Sequence, residues 1–171
     1  MSTASGLTAL LDQGLIERIV RPLMSGKEAQ VYLVISDGEE RVAKVYKEAQ
    51  QRSFKHRADY TEGRRSKNTR DARAVAKGSR HGKEQDEAAW RSAEVETIYK
   101  LRDAGVRVPT PHHFSNGVLV MELVKDASGR PAPRLGEVDV EPAAGERLFH
   151  QLIREVVKML CAGVVHGDLS E

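Results

Sequence analysis

Apolar residues recur along this chain with two different periods, and each period marks a kind of element. Leu7, Leu10, Leu11, Leu15 and Ile19 stand at roughly helical spacing, with Gly14 as a break, so residues 7–20 read as an interrupted helix. Val31–Ile35 and Arg41–Tyr46 are short β-branched runs. Between them, Ser36-Asp37-Gly38-Glu39 carries the Asp-Gly pair of a tight hairpin. A helical pattern runs from Glu84 to Ala104, with Gly105 as its C-cap. Val106–Pro111 is held extended by its two prolines, and Gly117–Val124 reads as a buried strand. Residues 125–142, with Pro131, Pro133 and Pro142, form a loop. A second amphipathic helix spans Ala143–Ala162 and gathers Phe149, Leu152, Ile153, Val156 and Leu160 on one face.

This order predicts an α+β fold: an antiparallel sheet with one main helix, then the beginning of a helical lobe. Composition agrees, with 40% hydrophobic and 30% charged residues. The apolar stretches fall far short of the ~18 residues that span a membrane. Asp12 interrupts the apolar patch near the N-terminus and no basic region precedes it, so no secretory signal is expected. One cysteine, Cys161, can form no internal disulfide and suits a reducing compartment, so a cytoplasmic location is expected.

Charge changes the picture at one place. From Arg52 to Lys83 there are eleven Lys/Arg against Asp59, Glu62 and Asp71, a net +8 that leaves −6 on the rest of a chain whose total is +2. Large apolar residues are sparse there. The segment reads as a mobile solvated loop from about residue 61 to 82, in which Ser66 or Ser79 could accept a phosphate. It also reads as a grip on RNA or a ribosomal particle.

Four groups carry candidate chemistry. Lys44 lies in Arg41-Val42-Ala43-Lys44-Val45-Tyr46, where alternation puts Val42, Lys44 and Tyr46 on one face. A mid-strand lysine either meets an anion or sits on an edge strand and reaches water. Glu94 shares a helix face with Trp90, Thr97, Ile98 and Leu101, and a carboxylate on an apolar face calls for a cationic partner, for which Lys44 is the candidate. Ser25-Gly26-Lys27-Glu28-Ala29 precedes a strand, as an ordinary turn or as one whose N–H groups meet a phosphate. It matches neither a Walker A loop nor the protein-kinase glycine-rich loop. Finally, His166-Gly167-Asp168-Leu169 follows the second helix, where Asp168 could act as a base.

Together these residues resemble the RIO family of atypical serine/threonine protein kinases. The match runs from about Gly14 to Glu171 and includes Ser25–Ala29, Val45-Tyr46-Lys47, Trp90–Glu94, Ala104-Gly105-Val106 with Pro109 and Pro111, Leu119–Glu122 and His166–Glu171. No winged-helix pattern precedes it, so the chain looks closer to the first RIO subfamily. The resemblance implies a protein-kinase-like N-terminal lobe over residues 25–124, a helical lead-in over 1–24 and the start of a C-terminal lobe over 125–171. It implies ATP as the cofactor, with Ser25, Gly26 and Lys27 over the phosphates, and with Lys44 on the phosphates and paired with Glu94. Val42 and Met121 border the base, the Glu122 carbonyl and Val124 amide contact adenine, and Asp168 is the catalytic base. The substrate implied is a protein serine, including the protein's own. The family's Mg2+-binding asparagine and aspartate would fall after Glu171, so no metal ligand is assigned and these 171 residues alone are expected to be impaired. Two other readings compete: a small-molecule kinase of the aminoglycoside or choline type, and a non-catalytic nucleotide- or RNA-binding module associated with the ribosome.

Overall fold

The computed structural model describes residues 3–26, 29–47, 93–167 and 169. Five antiparallel strands form one sheet in the order β1-β2-β3-β5-β4. Their spans are β1 Arg18–Ser25, β2 Ala29–Ser36, β3 Glu39–Tyr46, β4 Pro111–Ser115 and β5 Val118–Glu122. Helix α1, Thr3–Asp12, precedes them. Residues 93–103, here α2, are helical and lie between β3 and β4 in sequence, and α3, Pro142–Cys161, follows a single 3-10 turn at Leu135–Glu137. This is the α+β arrangement expected from the residue pattern.

Two hairpins fix the sheet's register. In each, two successive turn residues take positive φ: Asp37 (53°) with Gly38 (73°), and Asn116 (51°) with Gly117 (72°). Such turns match the right-handed twist of paired strands, and glycine adopts them without the steric cost a Cβ imposes. The first hairpin follows the sequence expectation. The second does not, because the residue pattern predicts no strand over 112–116. His112 and His113 obscure the alternation, although Asn116-Gly117 is itself a hairpin signal.

Strand β1 is a further correction. The helical reading of residues 7–20 holds only for its first part: α1 ends at Asp12, and Ile19 lies on β1. Pro22 is tolerated because β1 is an edge strand, where a missing N–H breaks no ladder on its open side. Exposure of nearly the whole strand removed the period-two pattern that would have revealed it.

Both faces of the sheet are covered, which is why β3 reads as almost continuous burial. On one face Val34, Ala43, Val45, Val118 and Val120 pack with Leu7 and Leu10 of α1 and with Ile16. On the other, Ala29, Tyr46 and Leu119 pack with Val95 of α2, and Leu33, Val42 and Leu123 form an adjoining patch. Helix α1 approaches closely at Gly6, where an added Cβ would lie 3.0 Å from Val118 Cγ2 and 3.1 Å from the Asn116 carbonyl oxygen. Gly6→Leu is therefore expected to lower stability by about 1–3 kcal/mol through overpacking, read as an earlier urea midpoint at unchanged slope.

Helix α3 docks through Met159, which packs with Leu101 and Val106. Two of its polar side chains tie the turn that ends α2. Lys158 Nζ donates to the Gly105 carbonyl and to Glu155 (both 2.9 Å), and the Arg107 amide donates to Glu155 at 3.0 Å. These contacts hold the Glu155 carboxyl below its usual range, Lys158 contributing most. The predicted apolar face of α3 stays open among the described residues, with Phe149 at 58% and Leu160 at 54% exposure.

Candidate functional site

Lys44 stands on β3, a central strand between β2 and β5, which excludes the edge-strand reading of this lysine. Its strand partners are Val31 on β2 and Leu119 on β5. Half-buried among them, its ammonium needs an anion, and α2 provides one: Nζ lies 2.5 Å from Glu94 Oε1. The same Nζ sits 5.0 Å from the centre of the Tyr46 ring, whose edge meets Phe114 of β4. An ammonium carries three donors, so two remain after Glu94 is served.

In an ion pair as largely buried as this one, loss of hydration offsets much of the mutual attraction, so its net contribution to the fold is small. Fixing Lys44 is the larger consequence of this one, because a four-carbon side chain is otherwise free to sweep. Val95, next to Glu94, is buried against Ala29, Tyr46 and Leu119, so the helix carrying the carboxylate is anchored to the sheet face that carries the lysine.

One row along that face lie Val42 and its strand partner Met121, packed with Leu33, Val31 and Leu123. They form an apolar floor beside the cation. The segment after β5 turns back on itself: the Ala132 amide donates to the Val124 carbonyl at 2.9 Å, leaving the Val124 amide as the polar backbone group not used in that contact. The Glu122 carboxylate is committed locally, accepting from the Thr110 amide at 3.0 Å, while the Glu122 amide donates to the Thr110 carbonyl at 2.8 Å. Thr110 thus clamps the strand end where β5 leaves the sheet.

The clamp has a pH signature. The Thr110 amide, then its hydroxyl, hold the Glu122 carboxyl below its ordinary value of 4.5. A depressed folded-state pKa gives stability that is present above the unfolded value and lost as pH falls through the folded one. The stability difference between wild type and Glu122→Gln is therefore expected to be present near neutral pH and to shrink below about pH 4.5. Urea titrations at pH 7 and below pH 4 check it.

Ser25 and Gly26 form the start of the turn from β1 to β2, both exposed, with the Gly26 amide donating to the Ala29 carbonyl at 2.9 Å. Ala29 pairs with Tyr46, so this turn caps the end of the sheet that lies two residues from Lys44. The structure therefore brings together Ser25, Gly26, Val42, Lys44, Glu94 and Met121 around one sheet end and face. Lys27, Trp90, Asp168 and the basic 52–83 segment lie outside the described residues. The sequence reading did not single out Thr110 or the contact of Lys47 with Gly26. Neither contact has a sequence signal, since both depend on which strands become neighbours.

A five-stranded antiparallel sheet whose central-strand lysine pairs with a glutamate on the packed helix defines a protein-kinase-like N-terminal lobe. The family model described as "RIO domain" matches residues 30–171. The chain belongs to the RIO family. It is 37% identical over 172 residues to the RIO-type serine/threonine-protein kinase Rio1 of Haloferax volcanii, covering 99% of this chain and 54% of that one. It is 29% identical to the serine/threonine-protein kinase rio1 of Schizosaccharomyces pombe and 32% identical to serine/threonine-protein kinase RIO1 of Homo sapiens. Each of those alignments covers 96% of this chain, but 32% and 28% of the relative. The chain thus spans about half or less of the length of these relatives. Its fold is similar to that of the Rio2 kinase from Chaetomium thermophilum in a complex with ADP/Mg2+ and phosphoaspartate, with a TM-score of 0.55 at 18% identity over 90% of this chain and 40% of that one. No described helix is long and apolar enough to cross a membrane.

Proposed function

We propose that this chain forms the nucleotide-binding lobe of a RIO-type serine/threonine kinase that transfers the γ-phosphate of ATP to a protein hydroxyl. The observation that carries the reading is the Lys44–Glu94 pair on an anchored helix. Lys44 holds phosphate oxygens with the donors Glu94 leaves free, and Ser25 with Gly26 places the start of the β1–β2 turn at the same sheet end. Val42 and Met121 provide an apolar surface for adenine, and the Glu122 carbonyl and Val124 amide meet its edge. These groups fit a nucleotide: a cation with unspent donors, an apolar floor, and backbone polar groups beside it.

Asp168, assigned by its position in His166-Gly167-Asp168-Leu169, accepts the proton of the attacking hydroxyl. Mg2+ stands differently. Among the described residues no cluster of three or more His, Cys, Asp or Glu could hold a metal, and none of them is assigned to Mg2+. The acceptor in this reading is a protein serine, including the protein's own, and the basic 52–83 segment would contact RNA or a ribosomal particle.

Full-length protein incubated with γ-labelled ATP is expected to yield phosphoserine on itself or on an added protein. Label found in an aminoglycoside or choline, with none in protein, would replace this reading by the small-molecule one.

A further inference from the structure

Arg134 has no role in the site described so far, yet it reaches back to the sheet. Its Nη2 donates to Met24 Sδ at 2.9 Å. Its backbone is fixed on both sides: the Arg134 amide donates to the Glu137 carboxylate at 3.1 Å, and the Arg134 carbonyl accepts from the Glu137 amide at 3.0 Å. The loop before it is closed by the bond from the Ala132 amide to the Val124 carbonyl and by the pairing of Lys125 with Pro131. The segment that leaves β5 therefore doubles back and presents a guanidinium at β1, an open edge of the sheet.

Strand register fixes the face it meets. Met24 pairs with Val31, and Val31 pairs with Lys44. Residues directly opposite across a ladder point to the same face, and Val31 packs with Leu33, Val42 and Leu123 of the apolar floor. Met24 thus stands in the row of Lys44 and on the same face, two strand spacings or roughly 10 Å away. A thioether sulfur is a weak acceptor, whereas arginine carries its donors in a planar fork that suits phosphate oxygens. Among the described residues this guanidinium pairs with no carboxylate. In the site proposed above, adenine lies on Val42 and Met121 and the phosphates run to Lys44, so the phosphate chain is the anion within this row.

We propose that Arg134 is a further nucleotide-binding residue: when nucleotide binds, its guanidinium exchanges the Met24 sulfur for oxygens of the phosphate chain and closes the site from the segment after β5. This role rests on the nucleotide-site reading above, and its test separates the two. The Kd values of ATP and of adenosine are measured on the full-length protein as wild type, Arg134→Met, Arg134→Lys and Met24→Leu. Arg134→Met is expected to weaken ATP about tenfold while leaving adenosine unchanged. Arg134→Lys, a point charge without the fork, is expected to recover part of the loss. Met24→Leu removes only the resting partner and is expected to leave ATP affinity as it was. Equal loss for ATP and adenosine in Arg134→Met would make the residue merely structural and overturn the proposal, as would a loss of ATP affinity just as large in Met24→Leu. An unchanged ATP affinity in Arg134→Met, in a protein that binds ATP more tightly than adenosine, would also overturn it and leave the site reading standing. Wild type binding ATP no more tightly than adenosine would overturn both.

Discussion

Lys44→Met and Asp168→Asn are each expected to abolish most phosphoryl transfer in the full-length protein, by about 10²–10³-fold for the lysine and 10²–10⁴-fold for the aspartate. The reasons differ. Methionine keeps the length and apolar stem of Lys44 between Val31 and Leu119 but removes the charge that, in the proposed site, meets developing negative charge on the transferred phosphoryl group. Asparagine keeps the size of Asp168 but cannot take the hydroxyl proton. Groups that act on one transition state are not additive, so the double variant should lose little more than the worse single one. Glu94→Gln is expected to act mainly through Lys44, raising KM for ATP more than it lowers kcat, because the lysine remains but is less firmly held. Lys44→Met is also expected to lower the melting temperature, because it leaves the largely buried Glu94 carboxylate without its partner. Single-turnover assays with γ-labelled ATP, run beside thermal melts, separate the two effects. A Lys44→Met protein with wild-type turnover would remove the lysine from the mechanism.

Leu119→Ala is expected to produce the largest stability loss, about 2–5 kcal/mol. Leu119 is fully buried at the centre of β5, directly across from Lys44, and it packs with Ala29, Tyr46 and Val95. Truncation leaves a cavity between the sheet and the helix that carries Glu94. The loss should therefore appear twice: as a lower urea midpoint, and as weaker ATP binding at temperatures where the protein is still folded. The first without the second would mean that α2 keeps Glu94 in place without this contact. Gly6→Leu, acting on the opposite face, should lower stability but leave ATP binding alone.

Much of this arrangement is legible in the residues because several patterns require one another. A mid-strand lysine is ambiguous alone, and a carboxylate on an apolar helix face is ambiguous alone. Each supplies the partner the other lacks, and the 2.5 Å contact between them joins residues fifty positions apart. Asp37-Gly38 declares its hairpin because a turn's backbone geometry is a local property. Strand β1 escapes for the opposite reason: an exposed edge strand carries no alternation, and its proline argues against a strand until the open edge is seen. Strand β4 is masked by its histidines, although Asn116-Gly117 marks the turn that follows it. The Thr110 clamp on Glu122 and the bond from Lys47 to Gly26 have no sequence signature. They arise where backbone groups of one segment meet side chains of another, and only the sheet order decides that.

In the proposed site, Lys44, held by Glu94, makes this sheet end a binding site for nucleotide phosphates. Titration calorimetry with ATP and with adenosine, on wild type and Lys44→Met, tests it most directly. Wild type is expected to bind ATP more tightly than adenosine, and Lys44→Met to remove this difference while still binding adenosine. Equal affinity of wild type for the two ligands, or a preference for ATP that survives in Lys44→Met, would contradict it.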